Sequence, residues 1–451
     1  MKSMFKKKLT IINKNLNNQE KDYFFCITVK LLTSISLFSS FVLFAQDWKK
    51  RHQFAKTYFG VSQYIVNDLS PGNYINEDGE IQTFNKNGFV TPSINIGATH
   101  FWGHADFYVS ISTKDIKFGN DDIENSYRLG TFTGLRVYPL ASKVNTVRPY
   151  FGYKFSPFRY KQTNSLNQES KRTQVKSVFD IGLGIQLPNF YFTLEYGRLI
   201  NPSFDTYLSR SVTRRDNFPS NIFQVGINYS IETTKPASRD ENKQANKLFS
   251  ATNASGLFFS IGPSSAFPQH SSEYVTELYP FLDDKSFPTI FPDFSVGYHF
   301  TKIDLITALS FRPMRQKRRA FGFIQEIERK SFNLESYKFL FDYHGFVPYV
   351  GVGLGFENIT VTEFDQGRAV PTTTYNKISP NITFGWDIRP SVKGDWWILR
   401  TNLRYFPFLT IERQARKLSL QHLEFNFIQF VFYPQRLKKI KADIKTIPNG
   451  A

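Results

Sequence analysis

Only one cysteine, three methionines and seven histidines occur among the 451 residues. Beyond residue 46, no apolar run approaches the roughly 20 residues a membrane-crossing helix needs. The single cysteine, Cys26, lies in the N-terminal segment, so the remaining chain can have no disulfide, thiol nucleophile or Cys-bound metal. Nucleotide chemistry has little to stand on either. Gly351-Val352-Gly353-Leu354-Gly355 lies within a strand pattern, whereas a dinucleotide loop needs a helix after its glycines. His100 and His104 bracket a turn without a third ligand, and His299 and His344 fall on faces read as internal. No spacing assembles a Ser-His-acid set of the kind a lipid hydrolase would need. No catalytic residue, metal or cofactor is expected.

Aromatic residues are abundant, with 48 Phe and 23 Tyr. The mean hydropathy is nevertheless negative, −0.34, because polar residues alternate with the apolar ones. A membrane protein of this kind has to be a closed β-barrel, the other structure that satisfies every backbone group in lipid. Pro149-Tyr150-Phe151-Gly152-Tyr153-Lys154-Phe155 returns as Pro348-Tyr349-Val350-Gly351-Val352-Gly353-Leu354, and the surrounding rhythm returns with it. Eight strands are expected in each half. In the first they lie near 56–66, 90–101, 104–113, 126–138, 148–160, 176–187, 190–200 and 221–232. In the second they lie near 255–263, 292–301, 303–312, 332–343, 347–361, 378–389, 396–408 and 421–433. Long polar connections (67–89, 114–125, 161–175, 202–220, 264–291, 313–331, 362–377 and 409–420) alternate with short turns, the asymmetry of bacterial barrels.

Seven lysines precede the apolar run Leu31–Ala45, which ends before Asp47, as in a cleaved secretory signal. The expected organisation is a signal at 1–46, a first barrel unit at 47–233 and a polar linker at 234–254. A second unit at 255–433 and a basic periplasmic tail at 434–451 complete it. A long linker on the side where turns are short favours two separately closed barrels. One sixteen-stranded barrel, a channel for small polar solutes, is the alternative. The net charge of +18 falls to about +13 without the signal's seven Lys, Glu20 and Asp22. In an exported chain, that charge suits anionic lipid better than nucleic acid.

Alternation assigns the faces. Ile181, Leu183 and Ile185 oppose Asp180, Gly182, Gly184 and Gln186, and Val350, Val352, Leu354 and Phe356 oppose Gly351, Gly353, Gly355 and Glu357. The apolar set should meet lipid, and glycine on the other suits the tight interior of a small barrel. Tyr138, Trp102, Trp396, Trp397 and Tyr433 are expected in interfacial girdles. Asp106, Arg128, Arg136, Asp180 and Glu195 in the first half are expected to line the lumen. So are Asp304, Lys338, Asp342, Glu357, Asp387, Arg389, Arg400 and Arg404 in the second. In an eight-stranded barrel they should form an ion-paired plug. Arg312, Arg315, Lys317, Arg318 and Arg319 form the densest basic cluster, expected on an outside loop where lipopolysaccharide phosphates could bind.

The run Pro348-Tyr349-Val350-Gly351-Val352-Gly353-Leu354-Gly355-Phe356 resembles the small outer-membrane β-barrel proteins of the OmpA transmembrane, OmpX and OmpW type in their Bacteroidota versions. The resemblance covers about 177 residues of each half. The chain departs from those proteins in being duplicated and in ending on a basic tail. The resemblance implies an all-β, antiparallel up-and-down barrel in the bacterial outer membrane, as two tandem eight-stranded repeats. It implies contact with outer-membrane lipid, lipopolysaccharide and the barrel assembly machinery, and names no specific protein partner. The expected role is non-catalytic: loops presented outside for envelope structure or interaction.

Overall fold

The computed structural model of the chain describes residues 55–67, 69–120, 123–164, 168–232, 254–285, 290–342, 345–389 and 395–446. The expected signal with Cys26, all of the linker but Ala254, His344 and the last tail residues lie outside the described residues.

Sixteen strands build two rings. The first comprises β1 (Lys56–Val66), β2 (Phe89–His100), β3 (Ala105–Ser112), β4 (Thr131–Val137), β5 (Thr146–Asn164), β6 (Glu169–Gln186), β7 (Phe190–Leu199) and β8 (Asn221–Glu232). The second comprises β9 (Gly256–Pro268), β10 (Phe291–Phe300), β11 (Leu305–Ala320), β12 (Phe323–Phe339), β13 (Phe346–Asp365), β14 (Arg368–Ile388), β15 (Trp397–Phe406) and β16 (His422–Phe432). Neighbours are antiparallel throughout, and each half closes on itself. The first strand pairs with the eighth from Lys56↔Glu232 to Ile65↔Phe223. The ninth pairs with the sixteenth from Phe259↔Phe432 to Pro268↔His422. These closures exclude the sixteen-stranded alternative, because strands eight and nine have spent their edges within their own rings.

The predicted faces hold. Ile181, Leu183, Val350, Val352, Leu354 and Phe356 point outward and are at least 42% exposed, as only a surface bathed in hydrocarbon tolerates. The edge of that belt is visible along single strand faces. On β13, outward Phe356 is followed by Asn358, Thr360 and Thr362; on β14, Ile378 follows Asn376, Thr374 and Thr372. The polar residues bond across the pair, Asn358 to Asn376 at 2.8 Å and Thr360 to Thr374 at 3.2 Å.

Three expected loops are strands instead. A tilted crossing needs about 9–11 residues, yet β13 and β14 have 20 and 21. The segments 161–164 with 169–175, 313–331 and 362–377 continue the ladders beyond the membrane, the last two turning only at Phe321-Gly322 and Gln366-Gly367. Their polar composition reflects water on one face, not the absence of strand. Other outer connections fold into hairpins, including Ile116–Asn120 with Ile123–Arg128 and Ser203–Tyr207 with Thr213–Asn217. A short helix, α1 (Glu273–Leu278), occupies the connection after β9. The basic tail begins as a helix, α2 (Pro434–Thr446). No described helix is long and apolar enough to cross a membrane.

The inner glycines have a packing reason. In each ring a large inward ring lies across a glycine of the neighbouring strand, where a Cβ would collide with it. At Gly182 that atom would lie 2.4 Å from Tyr150, at Gly134 2.6 Å from Tyr108, and at Gly385 2.4 Å from Tyr349. Tyr150 and Tyr349 are the tyrosines of the repeated Pro-Tyr-x-Gly sequence, and both stand on the fifth strand of their ring. Gly182→Val should overfill the first lumen and cost about 1–3 kcal/mol. The urea midpoint of the refolded protein in detergent should fall accordingly, whereas the outward Ile181→Val should leave it nearly unchanged.

Candidate functional site

Each lumen is filled in layers. In the first ring, Tyr138, Tyr150 and Tyr191 form an aromatic layer at the end of the short turns. Above it lies a charged layer. Arg136 bridges Asp106 at 3.1 Å and Glu195 at 3.0 Å, Lys154 pairs with Asp180 at 3.0 Å and with Glu195, and Tyr150 donates to Glu195 at 2.9 Å. The far wall carries small polar groups, with Gln224 donating to Ser62 at 2.8 Å and Asn95 to Asn228 at 3.1 Å. An outer cap of Tyr64, Phe132, Phe158, Tyr160, Phe204 and Phe218 closes the top.

The second ring repeats the scheme with more charge. Arg312 meets Glu335 at 3.1 Å and Glu424 at 3.2 Å, and Arg404 meets Asp293 at 2.7 Å and Glu335 at 2.8 Å. Arg329 joins Glu357 at 3.2 Å to Glu424 at 2.7 Å. Arg400 holds Asp387 with two bonds, 2.7 and 2.9 Å, the fork geometry that suits guanidinium to carboxylate. Below lies an apolar layer including Phe258, Tyr337, Tyr349 and Tyr433. Above lies a cap of Tyr274, Val275, Phe281, Phe323, Ile359 and Ile411. Buried charges on this scale persist only when paired.

The expected lumen residues Asp106, Arg136, Asp180, Glu195, Glu357, Asp387, Arg400 and Arg404 are all buried inside the rings. Four of the others are elsewhere. Arg128 belongs to the outer hairpin and pairs with Asp115 at 3.3 Å, because the strand expected at 126–138 breaks at Leu129-Gly130. Asp304 sits exposed in the turn after β10, where its φ is +49°. Lys338 and Asp342 share the parity of Phe332 and Leu334, which face outward, so Lys338 is exposed and Asp342 lies beyond the strand end. Asp342 pairs there with Arg389 at 3.1 Å, so Arg389 guards the mouth and does not line the middle. Glu335, on the opposite parity, is the inward acid of that strand.

The basic cluster is divided by the same two-residue period. Because β11 runs on to Ala320, Arg312 and Arg318 point inward and are buried; Arg318 bonds Gln325 at 3.0 Å. Arg315, Lys317 and Arg319 point outward, and all three face carboxylates: Glu326 and Glu328 across the pair, and Glu169. Tyr138 and Tyr433 are not girdle residues. Both are buried and stacked by arginine, Arg148 over Tyr138 at 4.2 Å and Arg436 over Tyr433 at 3.8 Å.

Lys154, absent from the expected lumen set, shares the two-residue period of Tyr150 and Gly152, the signal that marks it as inward. Asp293, Arg329 and Glu424 were harder. Glu424 is read correctly only if the register shifts on both sides of β16 are known, since a bulge reverses inside and outside along the strand. Arg436 comes from the tail, where the sequence shows only a basic run. Its guanidinium enters the mouth of the second ring and donates to Ala254 O at 3.1 Å, Asp395 O at 3.0 Å and His299 Nδ1 at 2.6 Å. His100 lies among Phe101, Phe107 and Phe346, and His104 reaches Tyr138 O at 2.8 Å. His422, the first residue of β16, lies at the outer end of the second lumen, 2.9 Å from Glu424 and 3.0 Å from Arg329.

Outside the membrane, one buried pair stands apart. Lys86 meets Asp216 at 2.7 Å and Tyr127 Oη at 2.8 Å within the first cap. Burial pulls the Lys86 ammonium below its ordinary pKa and lifts the Asp216 carboxyl, and each shift is opposed by the partner's charge.

No protein family and no curated protein matches the chain. Among solved structures it is similar to Neisserial surface protein A, at 13% identity over 40% of this chain and 99% of that one, with a TM-score of 0.30. It is similar to Ail of Yersinia pestis at 14% identity, over 39% of this chain and 97% of that one, with a TM-score of 0.24. An outer membrane channel from Pseudomonas putida F1 matches at 8% identity over 86% of this chain and 97% of that one, with a TM-score of 0.18. At these values the likeness carries nothing about activity.

Glu335→Gln removes the carboxylate that Arg312 and Arg404 share and should destabilise the second ring by about 3–5 kcal/mol. Arg315→Gln, at an exposed pair, should cost under about 1 kcal/mol. Urea unfolding of the two variants side by side in detergent checks both values.

Proposed function

We propose that the chain is an integral protein of the Gram-negative outer membrane without catalytic activity. In this reading, two closed barrels anchor a folded extracellular surface that serves envelope structure or interaction. The observation that carries it is the filling of both lumens. Each has aromatic or apolar layers at its two ends and paired charges between them, so the barrels serve as anchors and not as conduits.

What is elaborated lies outside. Strands β5, β6 and β11–β14 rise beyond the lipid belt, and hairpins pack over the ring tops with their own apolar cores. An export signal at 1–46, insertion by the barrel assembly machinery, and contact with outer-membrane lipid and lipopolysaccharide belong to the same reading. Of the five basic residues Arg312, Arg315, Lys317, Arg318 and Arg319, only Arg315, Lys317 and Arg319 face outward, each beside a carboxylate. Binding there would depend on displacing those carboxylates.

Purified protein in a planar lipid bilayer tests the reading. No stable single-channel steps are expected; large, reproducible steps would contradict it. Mass analysis of lipid A from cells expressing the protein should show no modification, whereas a lost acyl chain or phosphate would contradict the non-catalytic role.

A further inference from the structure

The two rings touch at three heights, each contact with its own chemistry. Toward the short-turn end, Phe107 of β3 lies 5.3 Å from Trp386 of β14, and Phe101 lies 5.1 Å from Phe346. Toward the outer side of the belt, Phe155 of β5 meets Phe267 at 5.8 Å and Phe425 at 6.3 Å. These rings occupy outward faces that would otherwise meet acyl chains. Aromatic pairs at such spacings attract beyond the area they bury.

Above the membrane the contact becomes polar and directional. Arg210, at the tip of the first ring's Ser203–Asn217 hairpin, donates to Phe321 O at 2.8 and 3.1 Å and to Asp365 at 2.6 Å. Its guanidinium also lies 5.1 Å from the centre of the Phe281 ring. Arg172 of β6 donates to Pro280 O at 2.9 Å and to Leu282 O, and is stacked 4.8 Å from Tyr207. Tyr207 in turn packs into the second ring's cap. The Phe321 amide donates to Glu169 O at 3.0 Å, and Arg319 pairs with the Glu169 side chain. Three carbonyls of the second ring's outer turns thus find their donors in the first ring, and an apolar cap of the second ring is completed by a first-ring tyrosine.

We infer that the two barrels form one rigid pair with a single composite outer head, clamped by Arg172, Tyr207 and Arg210. The Ser203–Asn217 hairpin is then a docking element whose partner is the second barrel of the same chain. No lipid layer separates the rings along the aromatic seam, and any ligand outside meets a surface that neither barrel presents alone. The inference rests on the fold and stands whether or not the proposed function holds.

The test uses the full chain with a sequence-specific protease site placed within 234–253. The protein is purified in mild detergent and cut to completion, then passed over a sizing column. The two fragments of the otherwise unaltered protein should elute together. In the Arg172→Ala/Tyr207→Ala/Arg210→Ala variant they should dissociate about tenfold faster or more, as loss of Arg and Tyr anchors at an interface does. Resistance of each fragment to unfolding in cold SDS shows that both barrels remain folded. Separation of the unaltered fragments would overturn the rigid pair. Equal retention in the variant, with both barrels folded, would overturn the clamp.

Discussion

In lipid every backbone N–H and C=O must find a partner within the protein, and that one constraint organises the whole molecule. A strand with a free edge cannot remain in hydrocarbon, and each half of the chain meets this by bringing its last strand back to its first. Closing after eight strands leaves a lumen only wide enough for side chains. The interior is therefore a packing problem, solved by tyrosines laid over glycines and by guanidiniums set between carboxylates. Sequence elements that look unrelated, the inner glycines, the repeated Pro-Tyr pair and the alternating charges, are parts of that solution.

The charged layers are costly to desolvate, and their value lies in being complete. Arg312, Arg329 and Arg404 share Glu335, Glu357, Glu424 and Asp293 in a network in which a single deletion strands a charge with no water to receive it. Apolar caps above and below keep solvent away and raise the stakes for each pair. The same caps leave the outer ends as folded surfaces in place of open mouths.

Much of this was legible in the sequence because a β-strand has a period of two. Ile181, Leu183, Val352 and Phe356 declare the lipid face, and the residues between them declare the lumen. The reading failed where the period was interrupted or the count began one residue off. Lys338 and Asp342 were assigned against the parity of Phe332 and Leu334, which hid Glu335. The bulge between Asn426 and Gln429, in the middle of β16, hid Glu424. Polar composition was mistaken for loop at 313–331 and 362–377, because a strand that leaves the membrane exchanges its outer apolar residues for Thr, Asn and Glu without ceasing to pair. The contacts of Arg172, Arg210 and Arg436 depend on distant parts of the chain and leave no local trace.

The central claim is that each half closes on itself. In a chain with Cys26→Ser, the cysteine pairs Phe59→Cys/Tyr229→Cys and Phe259→Cys/Phe432→Cys stand at closing register positions of the first and second rings. Oxidation in intact membranes should link each pair within one half in high yield. Failure of both, with ready linkage of Tyr229→Cys to Phe259→Cys across the two halves, would contradict two closed barrels and restore a single larger ring.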